Sequence, residues 1–122
     1  MLDKDNCNTK VRDVWGLTPA QKQSILDFLY GMVYAQCANA PDEWFSVRTL
    51  LGKEANNYDW HDIPLTALYK KYKDDRGKSE NEAIKLAGRD AGKLLKKVLE
   101  NEHSREFEVK YEGRIKQYRW KK

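Results

Sequence analysis

Basic side chains recur at regular spacing in the second half of the chain, where together they could bind an anion. Four of them lie four, four and three residues apart, so a helix would bring them to one face. These four are Lys85, Arg89, Lys93 and Lys96. The last ten residues add five more basic residues and no acid: Arg114, Lys116, Arg119, Lys121 and Lys122. Rows of this kind can neutralise phosphate groups, although a solvated helix face has the same pattern.

The basic character of the chain belongs to its second half. The full sequence of 122 residues carries 23 Lys and Arg against 19 Asp and Glu, a formal net charge of +4. Residues 1–61 hold 6 basic and 8 acidic residues, whereas residues 62–122 hold 17 and 11, so their net charges are −2 and +6. The asymmetry points to an anionic partner, and a total of only +4 keeps an ordinary solvated surface open as the alternative.

Residues that could perform catalysis do not form a recognised pattern. His61 stands between Asp59 and Asp62, a set that could bind a metal or serve a nuclease, but a loop histidine among acids is most often an incidental surface residue. His103 follows a predicted helix, and no serine or cysteine nucleophile pattern accompanies either histidine. The glycines are too scattered for a phosphate-binding loop. We therefore expect no enzymatic activity and no cofactor.

The two cysteines, Cys7 and Cys37, allow at most one disulfide and lack the neighbouring ligands of a zinc site. We expect free thiols, with Cys37 buried and unreactive at the end of an apolar helix, and no bound metal. No stretch approaches the roughly 18–20 consecutive apolar residues of a membrane span, and the first ten residues are polar, unlike a secretory signal. These features predict a cytoplasmic protein.

The length is that of one domain, which we place at residues 17–122. Residues 1–16 show no periodicity and are predicted to be a flexible arm, anchored at most by Val14 and Trp15. The first helix is predicted over 19–38, because Thr18, Pro19 and Gln21 provide a cap, a first-turn proline and a capping-box partner.

The first helix is apolar around more than half its circumference, which favours a central position in the core or a homodimer interface. Tyr30 and Tyr34 lie one turn apart and are predicted to pack. The run Trp44 to Val47 predicts a short strand that leads into a short helix, which Gly52 can end. Residues 53–61 have no period and are predicted to be a loop.

A second amphipathic helix is predicted over 64–75, with its apolar residues spaced for one face. Those residues are Leu65, Leu68, Tyr69 and Tyr72. Lys70, Lys71 and Lys73 are predicted to face water, and Gly77 supplies the left-handed conformation that ends the helix.

The longest helix is predicted over 80–101, opened by a capping box between Ser79 and Glu82. Its predicted inward stripe consists of Ile84, Ala87, Ala91, Leu94, Leu95 and Val98, and the cations described above form a second stripe. Gly88 and Gly92 lower the helix propensity by roughly 1 kcal/mol each relative to alanine, which suggests that they admit another backbone at close range.

The C-terminal residues predict a β-hairpin with Glu112 and Gly113 as its turn. The alternation pairs Phe107 with Tyr118, Val109 with Lys116 and Arg105 with Trp120, which puts the aromatic residues of both strands on one face. The opposite face carries Glu106, Glu108, Lys110, Ile115, Gln117 and Arg119. Ile115 is out of place on this polar face, where it can pack on a neighbouring loop or wedge against a nucleic acid.

This order of elements resembles the winged helix-turn-helix superfamily, in topology and charge and without a diagnostic motif. The predicted fold is thus α+β, mainly helical and winged helix-turn-helix-like, with about four helices, a short strand and a C-terminal hairpin. The resemblance covers Pro19 to Trp120, with residues 44–47 as the first strand, 64–75 and 79–101 as the helix pair, 107–120 as the wing, and 53–61 as an extra insertion. In that superfamily the second helix usually enters the major groove of DNA while the wing contacts the backbone or the minor groove.

The resemblance implies eight DNA-binding residues. They are Lys78, Asn81, Lys85 and Arg89 on the helix, and Lys110, Arg114, Lys116 and Arg119 on the wing. Acids near the start of the helix, among them Glu80 and Glu82, would repel phosphates, although acids in a first turn also complement the helix dipole.

The sequence therefore leaves two candidate functions open. The first is a regulatory or accessory protein that binds duplex DNA and is expected to form a homodimer through the first helix (19–38). The second is a winged-helix protein-interaction module whose contact surface is aromatic, at Trp44 to Phe45 and Tyr58 to Trp60.

Overall fold

A computed structural model describes residues 14–51, 63–113 and 115–121 of the chain. Over these residues it contains four helices followed by a two-stranded antiparallel hairpin, a mixed α+β fold that is mainly helical, as predicted. The helices are α1 (Pro19–Asn39), α2 (Val47–Leu50), α3 (Thr66–Lys70), which continues as a π-helical turn (Lys71–Asp75), and α4 (Glu80–Glu100). The strands are β1 (Glu106–Glu112) and β2 (Ile115–Lys121).

The first helix begins where its capping signals predict. Thr18 Oγ1 accepts a hydrogen bond from Gln21 N–H at 3.1 Å, and Gln21 Oε1 accepts one from Thr18 N–H at 2.9 Å. The buried residues of α1 follow a four-residue spacing: Ile25, Leu29, Val33 and Cys37. Tyr30 and Tyr34, predicted to pack, are instead 42% and 54% exposed, because they lie beside this stripe and not within it.

The predicted strand at residues 44–47 is reduced to one bridge between Phe45 and Tyr118. Each of these two residues donates its N–H to the carbonyl of the other, at 2.8 Å. The segment cannot extend further as a strand because Ser46 already caps α2: Thr49 N–H donates to Ser46 Oγ, and Ser46 N–H donates to Thr49 Oγ1. The segment at Phe45 therefore lies beside β2, on the side away from β1.

The segment before α4 departs from the α-helical prediction at Lys71. The hydrogen bonds of a π-helical turn join residues five apart, so α-helical spacing no longer tells which side chains face inward. Lys71, predicted to face water, is only 3% exposed. The turn ends as expected at Gly77, whose φ is +63°, and Lys78 N–H donates to the Tyr72 carbonyl at 3.0 Å.

The longest helix contacts α1, α2 and α3 and runs through the core. Ser79 Oγ accepts from Glu82 N–H at 3.3 Å, which confirms the N-cap half of the predicted capping box. The C-terminal half of α4 is buried around most of its circumference, so Lys96, predicted to be part of an outward row of cations, is 9% exposed. A Cβ atom added to Gly88 or Gly92 would meet nothing within 4 Å, so over the described residues the predicted close backbone contact is wrong.

The hairpin pairs in a register two residues away from the prediction. Phe107 lies opposite Trp120 and Val109 opposite Tyr118, and Glu112 opposite Ile115 closes the ladder. Gly113, with φ +64°, takes the first loop position, which spares Glu112 a left-handed conformation. A shift of two residues keeps every side chain on its predicted face, so Phe107, Val109 and Tyr118 are buried as expected.

The core joins the segment before α1 to the rest of the fold. Val14 is 3% exposed and belongs to the same hydrophobic cluster as α1, α4 and the hairpin. Val14 and Trp15, the predicted anchors of the arm at 1–16, pack against the domain predicted from residue 17. The predictions for residues 1–13, for Gly52 and for the loop at 53–61 lie outside the described residues.

Candidate nucleic-acid interface

Four of the predicted binding residues lie exposed at the start and along the outward side of α4. They are Lys78, Asn81, Lys85 and Arg89. The opposite side of the helix carries Ala83, Ala87 and Ala91, each 0% exposed, so packing of the inward side fixes which residues face out.

The outward side of α4 is free of acids along its middle section. At 100° per residue, Asn81, Lys85, Gly88 and Gly92 fall close together, with Arg89 beside Lys85. We call these five residues the α4 strip. Glu80 lies well to one side of the strip, whereas Glu82 lies at its edge, three residues before Lys85 and roughly 20° from Arg89 around the helix axis. The open space at Gly88 and Gly92 leaves the backbone of the helix accessible beside the two cations.

The row of cations predicted on α4 is shorter than its sequence spacing indicates. Lys96 is buried, and Lys93 Nζ lies 3.8 Å from Asp90 Oδ1, a partner three residues earlier. Lys85 and Arg89 are therefore the exposed cations that remain on the outward side of this row.

The hairpin brings two further predicted residues together on one aromatic ring. Lys110 Nζ lies 4.4 Å and Arg119 Cζ 4.5 Å from the ring centroid of Trp44. Arg119 also donates from Nε and Nη2 to one oxygen of Glu108, at 3.0 and 2.7 Å. Both cations are half-buried, and each is already engaged in an intramolecular contact.

The remaining wing residues divide between the two faces of the hairpin. Lys116 lies on the inner face, with its Nζ 5.1 Å from the ring centroid of Tyr111. On the outer face Gln117 Nε2 donates to Glu112 Oε2 at 3.1 Å, and Ile115 beside it is half-buried. Arg114 lies outside the described residues. Carboxylates thus alternate with cations on the outer face, which lowers its positive potential.

Beneath the outward side of α4 lies a buried ionic network that the sequence analysis missed. Asp90 is 2% exposed, and its Oδ2 accepts hydrogen bonds from Lys71 Nζ at 2.6 Å and from the Tyr72 hydroxyl at 2.7 Å. Burial, followed by the bond to Asp90, raises the pKa of Tyr72 to about 12, so the phenol stays protonated and donates. A signal was present, since Asp90 stands three residues after Ala87 and four before Leu94, inside an apolar stripe where a carboxylate requires a partner.

The described part of the aromatic surface predicted for protein contacts is largely buried. Phe45 is 1% exposed and packs edge-on against Phe107, so it belongs to the core. Trp44 is half-buried between cations, and residues 58–60 lie outside the described residues. The exposed tyrosines of α1 lie elsewhere: Tyr34 stacks on Arg105, whose Cζ also lies 5.2 Å from the ring centroid of Trp120.

Other kinds of site have little support in the described part of the chain. Among residues 14–51, 63–113 and 115–121, no three His, Cys, Asp or Glu side chains are grouped so that they could hold a metal ion. Cys37 is a buried free thiol whose pKa is raised by burial, as predicted, and Cys7 lies outside this part. No helix within the same ranges combines the length and apolarity needed to cross a membrane.

Comparison with protein-family models, with curated proteins and with solved structures finds no match. The function is therefore inferred from the site and its electrostatics.

Proposed function

We propose that this protein binds duplex DNA, with the α4 strip as its main contact and the hairpin as a weaker second contact. It would act in the cytoplasm as a regulatory or accessory factor. The observation that carries the proposal is the exposure of Lys85 and Arg89 on the outward side of α4, after the acids of the first turn, while the opposite side of the helix is buried in the core.

The physical basis is the attraction of unpaired surface cations to phosphate. An exposed cation releases counterions from DNA when it meets a phosphate, and this release drives binding. Gly88 and Gly92 help, because a surface without side chains lets a sugar-phosphate strand approach the helix beside Lys85 and Arg89.

The order of the elements supports a winged helix-turn-helix arrangement. Here α3 with its π-helical turn would be the first helix of the pair, α4 the second, and β1 and β2 the wing. The bridge from Phe45 to Tyr118 adds the first strand to the hairpin, as in the arrangement that the sequence resembles. Glu80 and Glu82 at the helix start complement its dipole, and the proposed phosphate contacts lie on either side of them along the chain, at Lys78 and at Lys85 and Arg89.

The direct test is a fluorescence anisotropy titration of the protein with duplex DNA of random sequence at two salt concentrations. For three phosphate contacts, from Lys78, Lys85 and Arg89, log affinity should fall by about 0.9 per contact per decade of salt. Affinity should then drop about 40-fold between about 50 and about 200 mM salt. A protein that does not bind at the lower salt concentration, or whose binding ignores salt, does not have this function.

A second candidate function is protein contact through α1, with a second copy of the chain as partner. Residues 28–41 include no charged residue, yet Tyr30 and Tyr34 are substantially exposed there. Exposed tyrosines on an uncharged stretch of helix are suited to a two-fold interface, which would make α1 the homodimer helix, although Tyr34 also stacks on Arg105 within the chain. Sedimentation velocity tests this candidate: a dimer that Tyr34→Glu converts to a monomer supports it, and a monomeric wild-type chain rejects it.

A further inference from the structure

Beside the α4 strip, an exposed tryptophan and an exposed arginine lie together at the turn that precedes α4. Trp15 is 47% exposed, and the Cζ atom of Arg76 lies 4.5 Å from its ring centroid. Arg76 is itself exposed and stands just before Gly77 and Lys78. Neither residue was predicted to bind a ligand.

Contacts with buried residues hold Trp15 in place, although it is 47% exposed to solvent. Lys71 Nζ donates to the Trp15 carbonyl at 2.7 Å and lies 4.2 Å from the centroid of its ring. Tyr72 meets the same ring edge-on, with centroids 5.6 Å apart. At Gly16, where φ is +80°, a Cβ atom would come within 2.7 Å of Lys71 Cδ, so the backbone passes directly over the lysine.

The fixed indole orients the guanidinium that stacks on it. A stacked guanidinium keeps its N–H donors at the edge of its plane, where they can form a bidentate pair with an anion. Less conformational entropy is lost on binding, because the stack already restricts the arginine side chain. Trp15 and Arg76 thus form a preformed donor edge on the surface.

The charges around this pair favour an anion and connect it to the α4 strip. The nearest buried carboxylate, Asp90, is occupied by Lys71 and Tyr72. Arg76 stands two residues before Lys78, which connects the pair along the chain to the start of α4. Asp74 and Asp75 are exposed on the same turn and lower the positive potential around Arg76.

We propose that Arg76, stacked on Trp15, binds a phosphate of the DNA backbone next to the phosphates bound by the α4 strip. This inference rests on the proposed function and extends its surface from α4 to the segment before α1. The chemical class of the ligand is a phosphodiester, bound through charge and hydrogen bonds and without base recognition.

The test compares Arg76→Gln with Lys73→Gln in the anisotropy titration. Lys73 is exposed in the π-helical turn, so the two variants lose the same charge within three residues of each other. Arg76→Gln should lower affinity roughly 5- to 10-fold and reduce the salt slope by about 0.9, whereas Lys73→Gln should change affinity less than about 2-fold. Arg76→Lys should keep most of the slope but lose affinity, because lysine has no planar donor edge.

The outcomes separate this inference from the proposed function. If the wild-type protein binds DNA with a steep salt slope and Arg76→Gln matches Lys73→Gln, the Arg76 contact is wrong and the α4 strip stands. If the wild-type protein does not bind, the proposed function itself fails. Trp15→Phe gives an independent measurement, since it should weaken binding only if the stack orients Arg76, and equal affinity with an unchanged melting temperature would count against that role.

Discussion

The outward side of α4 and the outer face of the hairpin carry the same kinds of basic residue in different surroundings. On α4, Lys85 and Arg89 are exposed, and Glu82 lies at the edge of the strip near the helix start. On the hairpin, Lys110 and Arg119 rest on Trp44, and Arg119 is paired with Glu108 at 2.7 Å. A count of basic residues does not distinguish the two surfaces, whereas the contacts of those residues do.

The difference shows that the contribution of a cation to anion binding depends on the intramolecular contacts that it loses when it binds. A surface ion pair contributes only about 0–1 kcal/mol to stability, and a solvent-exposed cation on a tryptophan ring about 0.5–1 kcal/mol. Such contacts are too weak to prevent Arg119 from meeting a phosphate, but they reduce the gain in binding free energy when it does. We therefore expect α4 to provide most of the DNA affinity and the hairpin to provide a smaller part.

The largest expected effect lies under α4, where the buried network fixes the segment on which the exposed cations depend. Lys71→Met removes the closest cation of the buried Asp90, leaving Tyr72 and the more distant Lys93, and should destabilise the fold by about 3–5 kcal/mol, measured by urea unfolding. The double variant Lys71→Met/Asp90→Leu is the control, since replacing a buried pair by apolar residues is often close to neutral. A single variant within about 1 kcal/mol of wild type would show that the network contributes little.

The next effect is on DNA binding. Reversing both exposed cations, in Lys85→Glu/Arg89→Glu, should lower affinity roughly 100-fold or more, because each change removes a contact and adds a repulsion. The fold should tolerate both changes, since the side chains are exposed. The matched control is Lys70→Glu/Lys73→Glu, which alters the net charge equally at two exposed positions before α4. Equal losses in the two double variants would mean that total charge, and not the α4 strip, governs binding.

The sequence predicts the regular part of the fold well. Local signals determine α1 and α4, because Thr18 with Gln21, and Ser79 with Glu82, satisfy the first N–H groups of each helix from within a few residues. The hairpin faces follow in the same way from strict alternation. The exposure of Lys85 and Arg89 could also be predicted, since both lie opposite an apolar stripe.

The other features of the structure could not be predicted from local signals, because most of them depend on contacts between residues far apart in sequence. Lys71 is buried because a π-helical turn changes the spacing and because Asp90, 19 residues later, provides its partner. The availability of Arg119 for a phosphate depends on its contacts with Glu108 across the hairpin and with Trp44. The residues next to Arg119 in sequence do not indicate either contact. The predicted register is wrong for a local reason. Gly113 could occupy either position of the two-residue loop, and only the strand pairing decides between the two.

A smaller effect is expected from the hairpin. Lys110→Ala/Arg119→Ala should weaken DNA binding by roughly 3- to 10-fold, well below the loss from the α4 strip, because both cations are partly engaged. The same variant leaves the ring of Trp44 without its cations, so its fluorescence should change even in the absence of DNA. A loss as large as that of the α4 variant would show that the intramolecular contacts do not limit the hairpin cations.

The smallest effect has the opposite sign and tests the pairing of Arg119 directly. Glu108→Gln removes the carboxylate that accepts from Arg119, so the guanidinium becomes available to a phosphate and DNA affinity should rise roughly 2- to 3-fold. Glu106→Gln removes the same charge two residues earlier on the same face of β1, at an exposed position. If pairing limits the hairpin, Glu108→Gln should raise affinity more than Glu106→Gln and should steepen the salt slope, because one more phosphate is neutralised. If the two variants gain equally, Arg119 was already as available as the cations of α4, and the contrast between the two surfaces is one of net charge alone.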